Sequence, residues 1–188
     1  MPGLFEQLEK RTVRWVNLIN GGIEHLTLEK LPGKIVATSV LIGGEGSQVF
    51  GAWYQIFMDA RWRVKAVSIH ATDTRWLILR SPRAGKWCDG DGKALPDLDG
   101  ARYVWLPDSP FAIMPLVRCV DLGRNDVSGR PAVQVSIETL QPRLVELSVK
   151  RGEGGDSCLV ESADGQCFRF KFDLNGLVNE QAEKFKRI

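Results

Sequence analysis

Two histidines, His25 and His70, are the only imidazoles in this chain of 188 residues. Each alternates with apolar neighbours on an extended segment, the pattern of a hydrogen-bonded structural histidine. No G-x-S-x-G elbow, P-loop or strand-following G-x-G-x-x-G occurs. Carboxylates are plentiful, and one sequence does not show which of them converge. An enzyme working through interior carboxylates, with His70 and Asp59 as the groups to test, therefore stays open. Cys88, Cys119, Cys158 and Cys167 are widely spaced with no CxxC pair, which excludes the usual zinc knuckles. A hairpin turn near Asp164-Gly165 places Cys158 opposite Phe170 rather than Cys167, so all four cysteines are read as reduced. Asp89, Asp91, Asp97 and Asp99 crowd the stretch CDGDGKALPDLDG. A calcium loop of the EF-hand type needs a Glu six residues beyond its Gly, and none stands there, so the Asp-Gly pairs read as hairpin turns. No metal and no cofactor is expected.

The aromatic residues are more informative. Six tryptophans, Trp15, Trp53, Trp62, Trp76, Trp87 and Trp105, are many for this length. Tryptophan offers a large apolar surface with one donor, which suits sugar rings and acyl chains in a cleft and equally suits the interior of a wide roll. Ser109-Pro110 reads as a helix start, with Ser at the N-cap and Pro at the first helical position. Phe111, Ala112, Ile113, Met114, Leu116 and Val117 follow, and a helix apolar on every side is a buried one.

The elements around that segment read as strands. Thr12 to Ile19 alternates, Asn20-Gly21-Gly22 turns, and Ile23–Glu29 returns. Leu31-Pro32-Gly33 turns into Lys34–Ile42. Ser47–Asp59 follows a glycine-rich loop and is apolar on both faces. Phe50, Ala52, Tyr54, Ile56 and Met58 share one face, and Val49, Trp53 and Phe57 the other. Such a strand is central in a layered structure or meets a ligand or partner on its second side. Residues 62–71 form the next strand, with Trp62, Val64, Ala66 and His70 on one side, and 73–80 another, before a turn from Pro82 to Gly85 into a short strand around Trp87. The second half alternates cleanly at 133–137, 144–149 and 168–174. Residues 3–10 read as helical turns, and 179–187 as a short charged terminal helix. Turn signals every eight to twelve residues argue for a barrel, roll or sandwich. The fold class is all-β, mainly antiparallel, a long sheet wrapped around one short helix at about 109–118. No linker or repeat divides it, so a single domain over 1–188 is expected.

A formal net charge of +2 gives no electrostatic case for nucleic acid. The first residues, MPGLFEQLEKR, carry Glu6 and Glu9 and lack the apolar run of a signal peptide. No stretch reaches the roughly 18 apolar residues that span a bilayer. A cytoplasmic location is expected.

Several motifs, in order, resemble a bacterial family of glycolipid-binding proteins. They are G-x-E-H-L (Gly22, Glu24, His25, Leu26), W-Y-Q-I-F-M-D-A-R-W-R (Trp53–Arg63), G-K-W (Gly85–Trp87), L-D-G (Leu98–Gly100), an S-P-F-led segment (Ser109–Arg118) and D-L-N-G-L-V (Asp173–Val178). The resemblance runs from about residue 12 to 186. It implies a spiral β-roll, an antiparallel sheet coiled around a single helix, and a likeness to carriers that hold acyl chains in a half-open sheet. This chain departs from the family pattern at its centre. Ala112, Ile113 and Met114 replace small polar residues, Trp105 an acidic one and Cys119 a basic one.

The resemblance and the two-sided apolar strand together imply non-catalytic binding of a glycolipid or similar amphiphile. The expected site is an apolar cavity between sheet and helix, lined by Trp53, Trp62, Trp76, Trp105, Phe111 and Met114, with Arg63 or Arg118 at the polar head. The alternative is an interaction protein with a filled core, forming a homodimer through the second face of strand 47–59.

Overall fold

Strand after strand alternates apolar and polar residues, so each turns one face to a shared interior. The computed structural model describes residues 9–46, 48–119, 127–152 and 155–188, with the backbone alone at 48, 119 and 127. The expected helical turns at 3–10 lie almost wholly outside the described residues, and Lys10 opens the first strand. The strands are β1 (Lys10–Asn17), β2 (Ile23–Leu31), β3 (Lys34–Glu45), β4 (Gln48–Asp59), β5 (Val64–Ala71), β6 (Trp76–Arg83) and β7 (Lys86–Asp89). After a 3-10 turn at Pro96–Leu98 come β8 (Tyr103–Trp105), a second 3-10 turn at Pro110–Ile113 and α1 (Met114–Cys119). Then follow β9 (Val127–Val135), β10 (Pro142–Arg151), β11 (Ser157–Ser162), β12 (Cys167–Phe172), β13 (Val178–Gln181) and β14 (Phe185–Arg187).

All fourteen form one open sheet in the order β7-β6-β5-β4-β3-β2-β1-β14-β13-β12-β11-β10-β9-β8. Every pairing is antiparallel except β8 with β9. The all-β class and the central helix are as expected. The segment 109–117 is buried throughout, and Phe111, Ile113, Met114 and Val117 join Tyr54, Ile56, Met58, Val133 and Val149 in one core. Met114 N–H still reaches the Phe111 carbonyl. Pro115 has no N–H to offer that same carbonyl, and the helix changes pitch at this point. No helix among the described residues is long and apolar enough to cross a membrane.

Antiparallel succession sends the hairpins to alternate ends of the roll. The β1–β2, β3–β4 and β5–β6 turns share one end, and the β2–β3 and β4–β5 turns share the other.

Three sequence expectations are corrected. Residues 179–187 are not a helix: β13 pairs with β12, and β14 pairs with both β13 and β1. Glu180, Gln181, Ala182 and Glu183 favour helix locally, but burying Phe185 and filling the gap between β1 and β12 outweighs that propensity. The common face of Trp62, Val64, Ala66 and His70 is broken by a bulge, since Phe57 pairs with Ala66 but Met58 with Val64. Beyond that extra residue the parity inverts, and Val67 and Ile69 face inward. The expected turn at Pro82 also begins late, because β6 runs on to Arg83. The Cys158–Phe170 pairing is observed as expected. The three cysteines whose side chains are described, Cys88, Cys158 and Cys167, are free. In the aspartate-rich stretch, Asp89 Oδ1 accepts the N–H groups of Asp91 and Lys93 at 3.0 and 2.9 Å, which is a turn built on a side-chain acceptor.

Candidate functional site

The period-two pattern of β2 sets Glu24 on the same face as Leu26 and Leu28, and that face is the interior. Glu24 is therefore a buried carboxyl. Its Oε1 accepts three hydroxyl hydrogen bonds, from Tyr54 Oη at 2.6 Å, Ser39 Oγ at 2.8 Å and Ser109 Oγ at 2.9 Å. Ser39 and Tyr54 are direct cross-strand partners on β3 and β4, and Ser109 arrives from the helical segment. Ser109 occupies the N-cap position, but its hydroxyl makes no cap hydrogen bond and turns to Glu24 instead. Lys184 Nζ holds the Pro107 carbonyl at 2.9 Å, and Asp108 Oδ2 accepts Ile137 N–H at 2.9 Å, which fixes the loop carrying Ser109.

The other oxygen, Oε2, has no hydrogen-bond partner among the described residues. Glu24 floors a crevice of about 20 Å³ lined by Asn17, Asn20, Ile23, Ile42, Phe50, Asp108 and Phe185, among others. That space suits one water-sized polar group. Gly22 makes the close approach of strands possible, because a Cβ there would lie 2.5 Å from the Ile42 carbonyl oxygen. Burial raises the Glu24 carboxyl from 4.5 to about 7, against the three hydroxyl bonds that lower it. Burial and the Glu24 charge push the Tyr54 phenol well above its ordinary value, so it stays a donor. The carboxyl can thus hold or release a proton near neutrality.

The turn between β4 and β5 builds a second concave place at the other end of the roll. Asp59 Oδ1 accepts the N–H groups of Arg61 and Arg63 at 2.9 and 3.0 Å. This fixes the turn that carries Arg61, Trp62 and Arg63, with Trp62 in the left-handed region at φ 63°. Across from them stand Arg102 and Tyr103 of the β8 edge and Arg130 of β9, over Arg118 of α1. Together they line a cleft of about 510 Å³. The Arg118 guanidinium lies 4.7 Å from the centre of the Trp62 ring. Burial lowers its pKa to about 10, so it remains a cation at neutral pH.

Of the eight residues expected to line a site, Trp62, Arg63 and Arg118 are brought together in this cleft. Trp105, Phe111 and Met114 are core side chains, and Trp105 packs edge-on against Phe168 at 5.2 Å. Trp53 and Trp76 do not face the helix. Strand alternation puts Tyr54 inside and Trp53 outside, where Trp53, His70 and Trp76 pair in one row across β4, β5 and β6. His70 is exposed on that face and bonded to Ser68 Oγ. Asp59 is engaged in its turn, six strand positions from Trp53, so His70 and Asp59 do not converge. Glu24, Tyr54 and Ser109 were missed as a site. The pattern Glu24-x-Leu26-x-Leu28, a carboxyl on an apolar face, was the signal that could have found them.

The model of the family described as Putative glycolipid-binding matches residues 12–187. The chain belongs to this family. The crystal structure of a DUF1089 family protein from Pseudomonas aeruginosa is similar, with a TM-score of 0.77 at 22% identity, covering 98% of this chain and 95% of that one. At that identity the likeness shows the fold alone. No curated protein matches the sequence. Within this chain, the motif G-x-E-H supplies Glu24, W-Y-Q supplies Tyr54 and S-P-F supplies Ser109. Residues far apart in sequence meet at one carboxylate oxygen.

Proposed function

We propose that the protein binds an amphiphile with a sugar or other polyol head. One head-group hydroxyl donates to Glu24 Oε2, and the apolar part lies on the sheet beside the crevice. The observation that carries this reading is the buried carboxylate oxygen left without a partner at the floor of an open crevice. Carboxylates and amides such as Glu24, Asp108, Asn17 and Asn20 are the groups that recognise hydroxyls. Support also comes from the crevice rim. Ile23 and Ile42 line it and are exposed. Val40 at 52%, Ile42 at 57%, Val49 at 72% and Trp76 at 57% exposure continue an apolar strip over the outer face past Trp53. Leu18 and Ile19 on the β1–β2 turn extend it. The family description agrees with an amphiphile.

Native mass spectrometry of protein from its own host, followed by organic extraction, tests this. A bound amphiphile present in the wild type and lost in Ile42→Asp is the expected result. A wild type that carries none, and whose crevice amides do not shift on titration with octyl glucoside, would overturn it. The same exposed strip favours a second reading, a homodimer through the outer face. Light scattering separates the two, because a monomer in the absence of ligand removes the dimer.

A further inference from the structure

The arginine cleft is unaccounted for by amphiphile binding at Glu24. Ala52 sits at the crevice end of β4 and Asp59 at the cleft end, seven residues apart, roughly 23 Å of extended strand. The cleft is assembled from separate parts of the chain: the β4–β5 turn, the β8 edge, β9 and α1. Its lining includes Arg61, Arg63, Arg102, Arg118 and Arg130, and no carboxylate stands among the described lining residues. Arg63, Arg102 and Arg130 make no salt bridge with any described residue. The neighbouring carboxylate, Asp59, is already engaged with two backbone N–H groups and with Lys65 Nζ at 3.7 Å. Guanidinium groups on facing walls repel one another unless an anion lies between them, and their planar forks match phosphate oxygens two at a time. A single carboxylate would neutralise one of them. A multiply charged anion answers several, and a volume of about 510 Å³ has room for one with an organic carrier.

We propose that the cleft between the β4–β5 turn and the β8–β9 edge is a binding site for a phosphoryl group, as a phosphate ester or diphosphate. Arg63, Arg102 and Arg130 supply the paired donors. Trp62 and Tyr103 supply the apolar flank for whatever carries the phosphate. The side chain of Asp59 does not touch the ligand in this scheme; it positions Arg61–Arg63.

The test is titration of the full chain with inorganic pyrophosphate, followed by amide chemical shifts and calorimetry. Saturable one-site binding is expected, with shifts confined to residues 60–63, 102–103 and 130. Affinity should fall about tenfold or more in Arg63→Gln and in Arg130→Gln, the loss expected for a charged hydrogen bond. Both side chains are partly or fully exposed, so both variants fold. Arg11→Gln, on β1, should bind as the wild type does. Vesicles of phosphatidylcholine with and without phosphatidic acid identify the source of the phosphate. Flotation with phosphatidic acid that pyrophosphate reverses indicates a lipid head group. Pyrophosphate binding without flotation indicates a soluble phosphate ester. Unsaturable binding, or equal affinity in the wild type, Arg63→Gln and Arg130→Gln, overturns the proposal. Ile42→Asp should leave pyrophosphate binding intact, so failure of the amphiphile reading and failure of this one are told apart.

Discussion

Glu24 concentrates the chemistry of this molecule in one side chain. Its carboxyl titrates at about 7 in the fold because burial penalises the charged form, and near 4.5 when unfolded. The folded state therefore holds a proton that the unfolded state has released between those values, and stability falls as pH rises across that window. Glu24→Gln keeps an oxygen for the three hydroxyls and removes the buried charge. The variant should be more stable than the wild type at about pH 8, by an amount on the order of a few kcal/mol, and the gap should close toward about pH 4. Urea unfolding along a pH series checks this, and parallel profiles would count against it. Tyr54 donates the shortest of the three bonds, 2.6 Å, and that bond lowers the Glu24 value. Tyr54→Phe should cost about 1–3 kcal/mol. It should also move the Glu24 carboxyl titration to higher pH than in the wild type, which carbon-detected NMR would read directly. Cavity formation alone would cost stability without that movement.

At the scale of elements, the β4–β5 turn shows how a side chain that meets no ligand can set a site. Asp59→Ala removes the acceptor for two backbone N–H groups. It should cost about 1–2 kcal/mol and weaken pyrophosphate binding, with the circular dichroism of the sheet unchanged. Wild-type affinity in that variant would mean that Trp62 and the bulge hold the turn unaided. The elements themselves were largely legible in the sequence, because strand periodicity is a local signal. The pairing of Cys158 with Phe170 follows from turn position alone, and the burial of 110–117 follows from its unbroken apolar run. Three things were not legible. The bulge after Val64 inverts every later side chain of β5, and no residue type announces it. Trp53 and Tyr54 are both apolar enough to face inward, and only the meeting of Tyr54 with Glu24 and Ser109 in three dimensions decides between them. β13 and β14 carry helix-forming residues; β14 becomes a strand through a partner more than a hundred residues away in β1, and β13 through its pairing with β12 and β14. The Glu24 site was half visible: its motif residues were noted one by one, but their meeting point exists only in three dimensions.

On the scale of the whole molecule, the sheet is joined in its middle by the two ends of the chain. Trp15 pairs with Arg187 and Asn17 with Phe185. Without β14 the roll would split into two sheets, each with an open edge at the break. Phe185 is the anchor of that seam. It is 3% exposed and also lines the Glu24 crevice. Phe185→Ala should cost about 3–5 kcal/mol. The kinetic consequence is sharper. The hairpins on either side of the seam close short loops, whereas the β1–β14 ladder must bring the chain ends together. Long-range closure of this kind is rewarded only after the local hairpins exist, so the seam should form late in folding. A contact absent from the transition state affects unfolding and leaves folding nearly untouched. Phe185→Ala should therefore accelerate unfolding while refolding keeps close to its wild-type rate, as measured by stopped-flow tryptophan fluorescence. Trp15, buried beside the seam with its indole N–H on the Val178 carbonyl at 2.9 Å, is a natural reporter. If refolding slowed in proportion to the lost stability, the joined termini would belong to the nucleus. The roll would then assemble outward from its middle rather than closing there last.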